Sequence, residues 1–311
     1  MTVDVSSKLI DPYGRPINSL RISVTQRCDL NCFFCHQEGE SGVGGEEVTA
    51  DEIEAIARTA SNLGIRRAKI TGGEPLLRED LTEIVRRISP HFEEVSMTTN
   101  GVGLALRVCE LSEAGLERVN VSLHSARSEV YREITGVDAL DEVRRGVAAA
   151  IGCGLNPVKL NMVVMERLND GEVEEMIEFS KEVGVILQLI EFQALEKGVE
   201  GYGIYYHDLR PWEEELEARS ERVVVRELHR RKQYHLKGGG TVEVVRPMHN
   251  SHFCEFCTRI RMTSDGHLKP CLMREDNHVD AVQRMRRGES EEALADAFRE
   301  AVARREPYWK E

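Results

Sequence analysis

Two groups of three cysteines are the residues of this sequence whose spacing best suits chemistry at a metal centre. The first group is Cys28, Cys32 and Cys35, spaced C-x3-C-x2-C in CDLNCFFC. Cysteine thiolates are the usual ligands of iron–sulfur clusters. Three of them can hold three irons of a [4Fe–4S] cube and leave the fourth iron open. The alternative is a zinc site completed by His36, but zinc sites usually pair C-x2-C units and the longer first gap fits them poorly.

The second group is Cys254, Cys257 and Cys271, in which 13 residues separate the C-x2-C pair from the last cysteine. A second open cluster fits this group, and so does a structural zinc site with a histidine as fourth ligand. The histidines that could complete a zinc site are His249, His252 and His267. The spacing alone leaves both kinds of site open.

Two arginines follow the C-x2-C pair in the segment TRIRM. If this segment is a strand, Arg259 and Arg261 point to the same face, because side chains alternate along a strand. Two adjacent guanidinium groups suit the recognition of phosphate or another polyanion. A pair of solvated surface arginines is the plainer interpretation.

The elements that must position these residues follow a repeated strand–helix pattern. We predict strands near 20–25, 66–71, 93–100, 118–124, 157–164 and 187–192, with helices near 49–63, 79–88, 103–114, 138–151 and 171–183. Such alternation is typical of an α/β fold with a parallel sheet. The polar loops TGGEP, TTNG and SLHS follow three of the strands, so they should gather at one rim of a barrel.

The pattern changes after residue 195. Short strands within ERVVVREL, KQYHLK and TVEVVRP are followed by helices near 279–304. We therefore predict an incomplete (βα)6 barrel over residues 1–195. A smaller C-terminal α+β region would cover residues 196–311 and carry the second cysteine group.

Composition limits the function further. The 311 residues carry a formal net charge of −13, which disfavours general binding to nucleic acid or to anionic membranes. No apolar run reaches 18 residues and the N-terminus does not resemble a secretory signal, so we expect a cytoplasmic protein. A small anionic substrate would need a local basic pocket. The isolated Cys109 and Cys153 are expected to be inert core thiols.

The C-x3-C-x2-C loop after a strand resembles the signature of the radical S-adenosylmethionine (SAM) superfamily, and ITGGEPLLR at 70–78 resembles its GGEP loop. This resemblance implies that the GGEP loop contacts the methionyl amino group of SAM, with Glu74 as a negative acceptor. It also implies that the reduced cluster cleaves SAM to a 5′-deoxyadenosyl radical, which abstracts a substrate hydrogen.

Nearly the whole chain resembles the GTP 3′,8-cyclase family of molybdenum cofactor biosynthesis, and its shorter archaeal members in particular. The matching segments run from DPYGRPINSLRISVTQRCDLNCFFCH to FCEFCTRIRMTSDGHLKPC. The resemblance implies two [4Fe–4S] clusters, one on Cys28, Cys32 and Cys35 and one on Cys254, Cys257 and Cys271. It places Phe34, Gly73, Ser122 and Gln193 along SAM. It places Arg21, Lys69, Thr98, Lys159, Arg259, Ile260 and Arg261 along GTP.

The five cations of that set come from several strands, and together they would form the basic pocket that a triphosphate needs. The implied reaction abstracts the ribose 3′ hydrogen of GTP and joins C3′ to C8 of guanine, giving 3′,8-cyclo-7,8-dihydro-GTP. An external electron donor and a downstream cyclic pyranopterin monophosphate synthase are the implied partners. A homodimer is left open.

Three features depart from the family pattern. Gln188 stands where many members have an arginine near SAM, and SLHS replaces the commoner SLD, so that His124 is interpreted as a plain residue of the barrel rim. The sequence ends in REPYWKE, without the Gly-Gly tail of bacterial and animal members, so that either Arg305 or another group substitutes for the tail or this branch works without it. A peptide-modifying radical SAM enzyme and a metal-based sensor or binding module are the competing hypotheses.

Overall fold

The computed structural model describes residues 9–40, 45–195 and 197–309. Within these ranges twelve strands form one sheet, in the order β12-β11-β10-β1-β2-β3-β4-β5-β6-β9-β8-β7. The strands of the predicted barrel are β1 Ser19–Ser23, β2 Arg67–Thr71, β3 Glu94–Thr99, β4 Arg118–Ser122, β5 Val158–Val164 and β6 Ile186–Glu191. The later strands are β7 Ser220–Val225, β8 Lys232–Leu236, β9 Thr241–Val245, β10 Arg259–Met262, β11 His267–Lys269 and β12 Val279–Asp280.

Helices lie between the strands and close the chain. Their bounds are α1 Ala50–Asn62, α2 Leu81–Ile88, α3 Leu104–Glu113, α4 Ser128–Thr135, α5 Leu140–Gly152, α6 Val173–Glu182, α7 Gly198–Tyr205, α8 Arg210–Arg219, α9 Ser251–Glu255, α10 Val282–Arg286 and α11 Glu291–Ala303. The six predicted strands and five predicted helices of the barrel are confirmed, with bounds that differ by a few residues. In the described ranges no helix is both long enough and apolar enough to span a bilayer.

Local sequence explains why these helices form and how they face the sheet. Helix α1 begins with a capping box, in which the Thr49 hydroxyl accepts from the Glu52 N–H and the Glu52 carboxylate accepts from the Thr49 N–H. Its Ile53 and Ile56 are fully buried, three residues apart on one face. The apolar face therefore packs on the sheet and fixes the helix behind the strands.

Eight consecutive strands of the sheet, from β10 through β1–β6 to β9, are parallel. The predicted C-terminal region is therefore not a separate sheet, because β9 extends the barrel beside β6 and β10 extends it beside β1. Antiparallel strands flank this parallel block, β11 and β12 beyond β10 and β8 and β7 beyond β9. The domain boundary at 195/196 stays a prediction.

Alternation along the parallel strands separates the core from the interior of the barrel. In β1, Leu20 and Ile22 are fully buried in the hydrophobic core, while Ser19 and Arg21 line a cavity. In-register pairing places Lys69 on one side of Arg21 and Arg261 on the other. Polar side chains of neighbouring strands thus form rows across the inner face.

The prediction for two cysteines is wrong. Cys109 of α3 and Cys153 at the end of α5 form a disulfide, with their Cα atoms 5.1 Å apart. Both were expected to be lone core thiols, yet Cys109 is exposed. Their separation of 44 residues hides the pairing in the sequence, whereas the packing of α3 against α5 brings them together.

Candidate active site

All six remaining cysteines line one cavity of about 570 Å³ inside the barrel. The lumen-facing residues of β1–β6 and β10 form its walls. A cavity of this volume is in the range of small-molecule sites. The two cysteine groups are therefore two sides of a single site.

The first cysteine group occupies the loop after β1. The Cys35 N–H donates to the Cys32 carbonyl at 3.3 Å, and the Asn31 N–H donates to the Thr135 carbonyl at 2.9 Å. Behind the loop, Phe33 and Phe34 pack on a buried apolar cluster that includes Phe192. The loop is thus fixed from behind, and its thiols face the cavity.

The second cysteine group is held by residues from both ends of the described chain. The Cys257 N–H donates to the Cys254 carbonyl at 3.2 Å. Arg15 donates to the Cys254 carbonyl at 2.8 Å, and Arg305 donates to the Cys257 carbonyl at 2.7 Å. Both guanidinium groups also bind the buried carboxylate of Asp11, each at 2.7 Å. The contacts of Arg15, Arg305 and Asp11 fix the backbone of the C-x2-C pair.

The chemistry of the thiols suits metal ligands. Burial raises the pKa of Cys32 to about 12 and also raises the pKa of the Cys28, Cys254 and Cys271 thiols. Burial acts the same way on Cys257, but Arg305 and Arg259 outweigh it and lower the pKa. Most of these thiolates therefore need the positive charge of a bound metal.

One trio of metal-ligating side chains lies outside the two cysteine groups. Across the described residues, only the ligand atoms of Glu166, Asp170 and His207 form a trio that all lie within 4.8 Å of one another. The sulfurs of neither cysteine group meet that limit.

The backbone of the GGEP loop packs directly against the backbone that leads into the first cysteine loop. A Cβ atom on Gly73 would lie 2.2 Å from the Arg27 carbonyl oxygen, and one on Gly72 would lie 2.4 Å from the Thr25 carbonyl oxygen. The Gly73 N–H donates to the Thr25 carbonyl at 2.7 Å. Only glycine fits at these two positions, and Gly73 lines the cavity.

The expected role of Glu74 as a SAM contact is not supported by its position. Its side chain is fully buried and is not among the cavity-lining residues. Its carboxylate accepts from the Asn100 N–H at 2.6 Å, the Leu76 N–H at 2.9 Å and the Thr99 hydroxyl at 2.7 Å. Glu74 therefore ties the GGEP loop to the loop after β3.

A carboxylate that the sequence did not single out lies between two of the predicted cations. Glu38 accepts from Arg21 at 3.1 Å, from Arg261 and from the Thr71 hydroxyl at 2.9 Å. Burial favours the neutral acid, but the two guanidinium groups hold the pKa of Glu38 far below its usual range. Glu38 thus aligns Arg21 with Arg261 and leaves them one net positive charge.

A second group of charges surrounds Glu243 of β9, a fully buried carboxylate. It accepts from Lys159 and from Arg226, the latter at 2.8 Å. Burial would raise its pKa, but Lys159, Arg231 and Arg226 lower the pKa of Glu243 to about 2. Burial and the neighbouring arginines lower the pKa of Lys159 to about 7 in spite of Glu243. Three basic groups therefore share one carboxylate.

Two further predicted cations have no carboxylate partner among the described residues. Lys69 donates to the Asn120 side-chain oxygen at 2.9 Å, and no ion pair forms at the guanidinium of Arg259. Burial, followed by repulsion from Arg118 and Arg21, places the pKa of Lys69 well below its usual value. The cavity therefore holds basic groups that its own carboxylates do not pair, which suits the binding of a polyanion.

The residues expected along SAM line the same cavity near the first cysteine loop: Phe34, Gly73, Ser122 and Gln193. His124 contacts the Phe34 ring edge-on at 5.0 Å and accepts from the Val163 N–H at 3.2 Å. Burial lowers the pKa of His124 to about 4, so the ring is neutral. Gln188 donates to Glu243 at 2.7 Å and is committed to that carboxylate.

Of the residues expected along GTP, all but one line the cavity: Arg21, Lys69, Thr98, Lys159, Arg259 and Arg261. Ile260 is the exception, because its side chain is fully buried in the hydrophobic core on the other face of β10. The sequence analysis missed Glu38, Arg118, Arg226, Arg231 and Glu243. Arg118 could have been predicted to face the cavity, because it alternates along β4 with Asn120 and Ser122. The positions of the other four follow from the tertiary fold and are not visible in the sequence.

The fold and the cysteine loop define a radical SAM protein. Residues 22–180 match the family model of the radical SAM superfamily, which is more than half of the chain. Residues 185–311 match the model described as Molybdenum Cofactor Synthesis C. SAM and an iron–sulfur cluster are the cofactors of this superfamily.

Relatives identify the family within that class. A probable GTP 3′,8-cyclase from Thermococcus kodakarensis is 50% identical over 307 residues, covering 97% of this chain and 100% of the relative. A probable GTP 3′,8-cyclase from Pyrococcus abyssi is 46% identical over 306 residues, covering 97% and 99%. The chain belongs to the GTP 3′,8-cyclase family.

Solved structures share the fold at low identity. Streptococcus suis SuiB bound to S-adenosylmethionine gives a TM-score of 0.64 at 17% identity, over 91% of this chain and 65% of SuiB. anSMEcpe with bound AdoMet gives a TM-score of 0.54 at 18% identity, over 85% and 78%. This chain spans about two thirds of SuiB, and the likeness concerns the fold alone.

Proposed function

We propose that this protein converts GTP to 3′,8-cyclo-7,8-dihydro-GTP, the first step of molybdenum cofactor biosynthesis. The observation that carries the proposal is one cavity lined by two cysteine groups and by cations in excess of their carboxylate partners. Family membership agrees, since the relatives are probable GTP 3′,8-cyclases over nearly their whole length.

We assign a [4Fe–4S] cluster and SAM to the side of the cavity formed by Cys28, Cys32 and Cys35. The donor set fits, because three reduced thiols stand beside the backbone cradle of Gly72 and Gly73. When bound, these groups supply one-electron cleavage of SAM and a radical that abstracts hydrogen. An external one-electron donor is the partner that this chemistry requires.

A second [4Fe–4S] cluster is assigned to Cys254, Cys257 and Cys271. Three sulfur ligands leave one iron open, which suits direct binding of the guanine base. Arg15 and Arg305 hold the two carbonyls of the C-x2-C pair and so fix the ligand loop before substrate arrives. The base would then be held at one end of the cavity, opposite the SAM side.

The triphosphate belongs with the cations in the middle and N-terminal halves of the strands. Arg21 and Lys69 occupy the third positions of β1 and β2, and Lys159 occupies the second position of β5. A triphosphate carries several negative charges and would offset the excess positive charge there. Binding at both ends orients the ribose between them, toward the SAM side.

Metal analysis and nucleotide binding test this proposal together. After anaerobic reconstitution, about eight irons per chain are expected from two cubes. Replacing Cys254, Cys257 and Cys271 with Ala should leave about four irons and abolish tight GTP binding, while SAM binding persists. Four irons with one zinc in the unmodified protein would contradict the second cluster. Equal affinity for GTP and ATP would contradict the substrate.

The product is expected to pass to a cyclic pyranopterin monophosphate synthase, and the enzyme is expected to work in the cytoplasm. Whether it does so as a homodimer is decided by light scattering of the reconstituted protein. A mass near twice 35.2 kDa would support the dimer.

A further inference from the structure

A six-residue connection between β7 and β8 closes the open side of the barrel. We name residues 226–231 the seam segment. Its two ends are joined by the Arg226 N–H, which donates to the Arg231 carbonyl at 2.9 Å. In its centre the His229 N–H donates to the Phe256 carbonyl at 2.9 Å, and the His229 ring stacks on Phe253 at 3.6 Å. The seam segment is therefore fastened to the second cysteine loop.

This attachment places Arg231 in the cavity. Its side chain is 10% exposed, and it lines the cavity together with Arg21, Lys69 and Arg259. Its Nε atom is buried and has no hydrogen-bond partner in the described part of the chain. The nearest carboxylate oxygen is that of Glu243, 4.0 Å from Nη1, which is beyond hydrogen-bond distance.

Glu243 does not form a close ion pair with Arg231, because both of its carboxylate oxygens already accept hydrogen bonds from other side chains. One carboxylate oxygen accepts from Lys159, Arg226 and Gln233, and the other accepts from Gln188 at 2.7 Å. A buried guanidinium without a close anion is unfavourable, since an unpaired buried charge loses its hydration without compensation. The position suggests a ligand whose negative oxygens complete the pairing.

The location indicates which part of the substrate this ligand is. Glu243, the carboxylate beside Arg231, is the third residue of β9 and binds Lys159, the second residue of β5. Arg118, which also lines the cavity, is the first residue of β4, and Arg21 is the middle residue of β1. Gly73, Ser122 and Gln193 lie at or beyond the opposite ends of their strands. Arg231 thus lies beside the middle and N-terminal halves of the strands, away from the expected SAM residues.

We infer that Arg231 of the seam segment binds phosphoryl oxygens of the GTP triphosphate and gives the site its preference for the triphosphate over the monophosphate. This inference rests on the proposed function. A planar guanidinium suits phosphate oxygens, which it can contact through two N–H groups at once.

The test measures equilibrium binding of GTP and of GMP to the anaerobically reconstituted protein. In Arg231→Gln the Kd for GTP should rise about tenfold or more, the usual scale for a hydrogen-bonded charge. The Kd for GMP should stay within about twofold of the unmodified protein, because GMP lacks the phosphates that Arg231 contacts. Arg222→Gln is the matched control, an exposed arginine on the same hairpin, and should change neither value.

Unchanged GTP affinity in Arg231→Gln, or an equal loss for GTP and GMP, would overturn the inference. Thermal melting and iron content establish that the variant is folded and loaded. If Arg231→Gln is not folded or not loaded with iron, the same binding measurements are made on Arg231→Lys. That variant keeps the positive charge but loses the paired contact of the guanidinium group. Its Kd should rise for GTP and not for GMP, and equal rises would overturn the inference. An unmodified protein that binds neither nucleotide would instead refute the proposed function.

Discussion

Excess positive charge is the property that the individual residues of the cavity share. Glu38 forms ion pairs with both Arg21 and Arg261, and Glu243 forms ion pairs with Lys159 and its arginine neighbours. The lowered pKa values of Lys69 and Lys159 follow from burial among like charges. A bound polyanion would reverse this effect, because it favours the protonated forms.

Lys159 should therefore make GTP binding depend on pH. Its pKa of about 7 means that it loses its proton as the pH rises from 7 to 9 in the free protein. GTP raises this pKa, so binding takes up a proton and weakens with rising pH, by at most about tenfold per pH unit. Calorimetric titration with GTP between pH 7.5 and 9 measures how the affinity changes with pH. Lys159→Arg should flatten the dependence, and an equally steep dependence in that variant would exclude Lys159 as its source.

The connecting loops are the elements that join the two halves of the site. Residues 38–40 leave the first cysteine loop and contact the C-terminal strands. Glu38 binds Arg261 of β10, Lys269 of β11 donates to the Gly39 carbonyl, and Glu40 accepts from the Ser264 N–H at 3.0 Å. The SAM side and the second cysteine group are thus held in a fixed relation by short-range contacts.

The GGEP loop allows a sharp test at this scale. Gly73→Ala would bring a Cβ atom to 2.2 Å from the Arg27 carbonyl oxygen, so the loop must shift. We expect SAM affinity to fall at least about tenfold and the free energy of unfolding to fall by about 1–3 kcal/mol, as for overpacked positions. Gly171→Ala is the control, since its Cβ atom meets nothing within 4 Å. Normal SAM affinity in Gly73→Ala would show that this approach is not required.

The disulfide between α3 and the end of α5 should contribute to stability. It closes a loop across 44 residues, and such a link typically stabilises by about 2–4 kcal/mol. The double variant Cys109→Ser, Cys153→Ser should unfold at a correspondingly lower denaturant concentration. Addition of a reductant should bring the unmodified protein to the same midpoint. Coincident midpoints for the oxidised protein and the double variant would show that the bond contributes nothing.

At the scale of the whole molecule, the C-terminal third completes the barrel that the first six strands begin. β9 and β10 extend the parallel block at its two edges, and the seam segment bridges from one edge to the second cysteine loop. The binding cavity is therefore lined by residues from both the first six strands and the C-terminal third of the chain. This arrangement lets a protein of net charge −13 enclose a strongly basic site.

The sequence predicted the parts of this fold that depend on local patterns. Short apolar runs separated by helical stretches indicated the six strands. Pairing across long separations was not visible, which is why the contacts of β9 and β10, the Cys109–Cys153 bond and the role of Glu38 were missed. Ile260 was included by resemblance, although alternation with Arg259 and Arg261 already placed its side chain on the other face.

The transfer of hydrogen from GTP to SAM-derived product tests the central claim most directly. The reconstituted protein is incubated anaerobically with SAM, a reductant and GTP carrying deuterium at C3′. We predict 5′-deoxyadenosine that contains one deuterium, formed with GTP and not with ATP. Formation of 5′-deoxyadenosine without deuterium, or at the same rate with any nucleotide, would contradict the account.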